Sequence, residues 1–189
     1  MAARERNKGL PHRGYPDPWK KFQWRGLSHL DAMGKVRMVD VGKKQATERH
    51  AIAGCEIQMR PETFELLRRG SLQKGDAFAA AKIAGILAAK KTPELIPLCH
   101  PLPLEKIEIR FFDRPNRDGV FIESEVRACA KTGVEMEALT AAMVAALTLY
   151  DMVKSQNPGM VMTNLHLIQK SGGKSDYVFS HPSGNHHGK

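Results

Sequence analysis

The sequence predicts an α+β fold, a ferredoxin-like sandwich in which an antiparallel four-stranded sheet carries helices packed on one face. Three observations lead there. Segments 51–59, 106–112 and 120–128 alternate apolar and polar residues with the period of half-buried strands, and 160–168 supplies a fourth strand. Two longer helical stretches separate these strands, so the order along the chain reads β, α, α, β, β, α, β. Helices segregated from an antiparallel sheet in that order fit a split βαβ arrangement.

Each element has a local reason. Ala51, Ala53, Cys55, Ile57 and Met59 share one face of the first strand. Pro61 then opens a short helix that Gly70 closes, since proline suits a first helical position. Asp76 is the expected N-cap of a longer helix that runs to Lys91 and stops before Pro93. Small residues dominate that helix, and Gly85 within it marks close packing. The next two strands form a hairpin, turned at 115–119.

The helix that follows is the most informative segment. From Ala138 to Tyr150 it bears no formal charge and is apolar all round, which predicts burial on every side, and the run is too short to span a bilayer. Asp151 and Lys154 sit one turn apart at its end. Glu135 and Glu137 lie at the opposite end, about 20 to 28 Å away at helical rise. One small-molecule site does not cover that distance, so sites built between subunits are expected. Plainer readings stand beside this one: Thr132 and Glu135 fit a capping box, and Asp151 with Lys154 fits a solvated ion pair.

Three further positions carry chemistry. Lys74 precedes the long helix, whose N-terminus favours anions, although it also fits an ordinary exposed lysine. His100 is held between Pro97 and Pro101, which suits an acid/base or hydrogen-bonding imidazole and equally a satisfied core histidine. Residues 170–175, KSGGKS, lack the first glycine of a nucleotide-binding P-loop, yet a two-glycine turn with two lysines can present N–H groups and charge to an anion.

These pieces together resemble the cyclic pyranopterin monophosphate synthases, the MoaC family, across residues 27–176. The resemblance rests on MVDV at 38–41, KGDAF at 74–78, IPLCHPL at 96–102, KTGVEMEALT at 131–140, LYDMVK at 149–154 and KSGGKS at 170–175. The family often has a further glycine after the last motif, where this chain has Asp176 and Tyr177. The resemblance implies a phosphorus–oxygen lyase of molybdenum-cofactor synthesis. Its substrate is a guanosine triphosphate cyclised between ribose C3′ and purine C8, and its products are cyclic pyranopterin monophosphate and diphosphate. It further implies Asp151, Lys154 and Lys74 as catalytic residues. Leu98, Cys99, His100, Glu135, Met136, Glu137 and Lys170 become substrate-binding residues, with no cofactor and no metal. A homohexamer, a trimer of dimers with sites at subunit interfaces, is the implied assembly. Proton transfer by lysine near neutral pH then calls for a depressed pKa at Lys154, with Lys74 or Lys170 close by.

Composition limits the alternatives. Residues 1–26 carry Arg4, Arg6, Lys8, Arg13, Lys20, Lys21 and Arg25 against Glu5 and Asp17, so a flexible extension supplies +5 of the +9 net charge. The catalytic domain is expected at 27–176 and a second polar, flexible tail at 177–189. Cys55, Cys99 and Cys129 are too widely spaced for a disulfide framework or zinc site and read as reduced, buried thiols. With no apolar signal-peptide core, a cytoplasmic location and no membrane partner are expected. An RNA-binding module on the same sheet is the competing class, but its aromatic signature is missing, so no specific nucleic acid is expected.

Overall fold

A computed structural model describes residues 35–180 apart from 71, 73 and 117. The chain divides into two units, Met1–Arg37 and Met38–Lys189. Only 35–37 of the first are described, so the expected extension at 1–26 lies outside the described residues, as do 181–189 of the expected tail. The second unit holds β1 (Thr47–Gln58), α1 (Pro61–Arg68), α2 (Ala77–Lys90), α3 (Thr92–Leu95), β2 (Leu104–Asp113), β3 (Gly119–Ala130), α4 (Glu135–Val153), β4 (Val161–Ser171) and β5 (Tyr177–Val178).

The strands form one open antiparallel sheet in the order β2-β3-β1-β4-β5. It has five strands where the sequence predicted four. The added strand comes from the expected tail, because Tyr177 and Val178 pair with Lys170 and Gln169. A two-residue strand carries no periodic signal to be read beforehand. The one-turn helix α3 was likewise not expected as a separate element; α2 stops at Lys90, and Pro93 sits in the first turn of α3.

Alternation on the central strands builds the core. Ala51, Ala53, Cys55 and Ile57 of β1 and Val120, Ile122, Val126 and Ala128 of β3 are all buried on one face, where α2 and α4 pack. At Ser124, on that same face, the hydroxyl donates to Ala138 O of α4 at 2.6 Å, tying helix to sheet. The two helices meet through small residues, and a Cβ at Gly85 would stand 3.0 Å from Ala141 O and 3.3 Å from Ala145 Cβ. Asp76 caps α2 as expected, its carboxylate accepting from Ala79 N at 3.0 Å.

The opposite face is ionic. Glu125, nearly buried, takes contacts from Lys106 at 3.2 Å, Arg110 at 3.0 Å and Arg127 at 2.7 Å. Burial opposes its charge, but hydrogen bonds from Arg110 and Lys106 outweigh that and hold its pKa down at about 2.

One expectation for α4 fails in a single chain. Met136, Met143 and Leu147 stay 38%, 45% and 51% exposed along one stripe, while Ile83 and Leu87 of α2 are also exposed. By length and hydropathy this 19-residue helix passes for a membrane span, yet half of it is buried inside the fold. It is a core helix with one side uncovered.

Candidate active site

Polar side chains gather at both ends of the 19-residue α4, and the two groups lie about 20 to 28 Å apart along its axis. The C-terminal group is a trio. Lys154 Nζ lies 2.6 Å from Asp151 Oδ1, and Lys74 Nζ lies 3.3 Å from Oδ2. Lys74 also donates to Asp151 O at 2.8 Å, so it caps a helix end where carbonyls lack partners and the helix dipole favours cations. Lys74 reaches this point because Gly75, at φ +91°, turns the chain sharply into the N-cap of α2.

The charges of the trio are mutually fixed. Hydrogen bonds from Lys154 and then Lys74 hold the Asp151 carboxyl below its ordinary value. The Asp151 carboxylate in turn raises Lys154. This corrects the depressed lysine that the sequence led us to expect: Lys154 is 55% exposed and paired with an anion, so neither burial nor a neighbouring cation prevails. Lys170 is not near it.

Lys170 belongs to the other group, its ammonium 3.0 Å from Glu135 Oε1. No capping box forms, since Val134 is the N-cap residue and makes no side-chain cap bond. Glu135 is free to pair with Lys170 because the carboxylate folds over Gly133, where any Cβ would collide with it. Glu137, in the first turn of α4, is only 3% exposed. Burial pushes its carboxyl up to about 7, with a backbone hydrogen bond opposing and the charge of Glu135 adding to the rise.

Leu98, Cys99 and His100 follow α3 in a partly buried loop. The Cys99 thiol is raised by burial and by the charge of Glu137, which sets that loop beside the start of α4. Met136 stands on the exposed stripe. Cysteine burial is uneven: Cys55 is buried and pushed up to about 11, Cys99 is intermediate, and Cys129 is exposed. Among the described residues, no three of His, Cys, Asp and Glu converge as metal ligands would.

A cleft of about 530 Å³ opens beside Glu135 and Lys170. Sheet register assembles it. Thr47 pairs with Ala130 and Ala51 with Lys170, so Arg49, Lys131 and the turn after β4 converge at one end of the sheet. Arg49 and Lys131 were not singled out in the sequence. The available signal was that Arg49 lies near the start of β1 and Lys131 just past the end of its partner β3, which becomes useful only once the register is known.

Of the ten candidate residues, Lys74, Asp151 and Lys154 therefore meet at one end of α4. Glu135, Met136 and Glu137 lie at the other, with Lys170 and Cys99 beside them. One chain does not bring the two groups together.

Comparison with known proteins bears on this arrangement. The MoaC family profile matches residues 38–173. A cyclic pyranopterin monophosphate synthase of Pelotomaculum thermopropionicum is 57% identical over 150 residues, which cover 79% of this chain and 88% of that protein. Another so named, from Trichodesmium erythraeum, is 52% identical over 161 residues, covering 85% of this chain and 96% of its own. A third, from Thermomicrobium roseum, is 52% identical over 149 residues, 79% of this chain and 90% of its own.

Proposed function

This chain belongs to the MoaC family, and on that premise we propose that it is a cyclic pyranopterin monophosphate synthase of molybdenum-cofactor biosynthesis, acting in the cytoplasm. The substrate is (8S)-3′,8-cyclo-7,8-dihydroguanosine 5′-triphosphate. The products are cyclic pyranopterin monophosphate and diphosphate, which makes the enzyme a phosphorus–oxygen lyase that uses no cofactor.

The observation that carries this reading is the trio at the end of α4, a carboxylate that meets an ammonium on each oxygen. Asp151, kept ionised, is the base. Lys154, kept protonated by Asp151, and Lys74 are the acids and the stabilisers of charge on the phosphorus centre. Opening the purine ring requires proton transfers at nitrogen and carbon. Closing the cyclic phosphate requires a hydroxyl oxygen to attack the α-phosphorus: that O–P bond forms, the bond to the β-phosphate oxygen breaks with its electron pair leaving on diphosphate, and the hydroxyl proton passes to the base. Leu98, Cys99, His100, Glu135, Met136, Glu137 and Lys170 bind the substrate.

The full site forms between chains of a homohexamer, a trimer of dimers, in which one protomer's trio faces its partner's Glu135 and Glu137. Two facts support that assembly. The groups are about 20 to 28 Å apart within one chain, and the stripe at Met136, Met143 and Leu147 is apolar and uncovered.

The direct test supplies the cyclised nucleotide and measures diphosphate release by the wild type, Lys154→Ala and Asp151→Asn. Each variant is expected to lose roughly 10²- to 10⁴-fold in kcat. Equal turnover by all three would remove the proposed roles.

A further inference from the structure

A helix end is where fixed geometry is hardest to keep, because the last four carbonyls lack partners within the helix and the final turn frays. Lys154 sits at that place. It is the C-cap residue of α4, its side chain 55% exposed, and the chain leaves it through a turn at 155–159. That turn is nonetheless held along its whole length. Val153 before it and Met160 after it are 0% and 7% exposed in the main core, and Asn157 at its centre is 5% exposed. Val153 O accepts from Gln156 N at 2.9 Å and from Asn157 N at 3.3 Å. Two side chains then reach in from different segments. Tyr150 Oη donates to Pro158 O at 2.9 Å, and Arg60 Nη2 donates to Gln156 O.

Both donors are themselves anchored. Tyr150 packs against the core from α4, one residue before Asp151. Arg60 is the N-cap residue of α1, its carbonyl accepting from Thr63 N and Phe64 N at 3.0 Å each, and Phe64 and Leu67 bury that helix in the same core. With Lys74 on Asp151 O, three carbonyls at or beyond the end of α4 are each bound by a side chain from a different segment. The consequence falls on the lysine amine. An ammonium on a flexible four-carbon stem keeps its 2.6 Å pairing with Asp151 only while the last turn of the helix stays wound. The Asp151 hydrogen bond is the main reason that amine is raised, and Tyr150 adds to the rise, so the phenol that fastens the turn also lies within electrostatic reach of the amine.

We propose that Tyr150 and Arg60 are positioning residues that clamp the turn after α4 and so keep the Lys154 amine in register with Asp151. Neither is asked to touch a reacting atom. The clamp deepens the proposed function and rests on its reading of Lys154 as an acid.

The test compares the full-length assembled wild type with Tyr150→Phe, Arg60→Met and the conservative Arg60→Lys. One readout needs no nucleotide: the rate at which an amine-acylating reagent labels Lys154, followed by peptide mass spectrometry, with Lys90, exposed at the far end of α2 from Lys74, as the internal reference. Tyr150→Phe and Arg60→Met should each speed labelling of Lys154 at least threefold and leave Lys90 unchanged, while Arg60→Lys stays near wild type. With the cyclised nucleotide, kcat of the first two should fall about tenfold and KM move less than twofold, as misplacement of an acid requires. The alkaline limb of their kcat profile should also move to lower pH, because a carboxylate held less closely supports the ammonium less. Labelling at the wild-type rate in both variants would overturn the clamp, and so would equal acceleration at Lys154 and Lys90 with the alkaline limb unmoved, since that reports general loosening. The two readouts fail separately: variant-sensitive labelling in a protein that never turns over the nucleotide removes the function and keeps the clamp, whereas turnover with variant-insensitive labelling does the reverse.

Discussion

Glu137 shows how one side chain can work against the fold that contains it. Its carboxyl stands at about 7 against an ordinary 4.5, because burial disfavours the charged form. The folded chain therefore keeps a proton that the unfolded chain releases, and stability falls as pH rises from about 4.5 through 7. Glu137→Gln should gain on wild type over that window, by on the order of 1–3 kcal/mol at pH 8, read from denaturation midpoints at pH 5 and pH 8. Parallel curves for the two proteins would contradict the assignment. Glu125 has the opposite sign. Held at about 2 by Arg110 and Lys106 despite its burial, it contributes stability above pH 4.5 that is lost as pH falls toward 2. Glu125→Gln should cost about 1–3 kcal/mol at pH 7, and the deficit should close in acid. A gap that persisted at pH 2 would show that packing, not charge, is what the glutamate supplies.

Among the elements, the contact of α2 with α4 sets the precision of everything attached to them. Gly85→Val would place atoms where Ala141 O, Ile109 and Ala145 now sit, and overpacking of that kind costs about 1–3 kcal/mol. Urea unfolding should register the loss, and the trio should loosen with it, since Lys74 enters through α2 and Asp151 through α4. An unchanged midpoint would mean that the helices shift apart freely. Much of this layer was legible in the sequence: alternation marked β1, β2 and β3, Asp76 marked the start of α2, and Gly85 marked the close approach. The partner of Glu135 was not legible. Local pattern allowed it a cap, and only the pairing of Ala51 with Lys170 reveals the cation that takes it instead. The outward stripe of α4 is uncovered in one chain for a related reason. Periodicity reports that a residue is apolar, but not whether its own chain or another covers it.

For the whole molecule, the proposed sharing of sites between chains would make activity a property of pairs. Leu147→Glu, on the uncovered stripe, should yield smaller species by light scattering and abolish turnover while far-ultraviolet dichroism stays native. Persistence of the wild-type mass would exclude that stripe as the interface. A complementary experiment mixes two inactive chains, Lys154→Ala and Lys170→Ala, after joint refolding. Random pairing places one intact site in each mixed dimer, so about a quarter of wild-type activity should return; none would return if each chain served its own chemistry. The straight helix between Glu137 and Asp151 then acquires a duty beyond packing, that of a gauge block. Inserting one residue there would advance one end by about 1.5 Å and swing it by about 100° relative to the other. No neighbouring rearrangement could restore both alignments at once. Among kindred sequences, gaps and insertions should accumulate in the β2–β3 turn and stay out of this span.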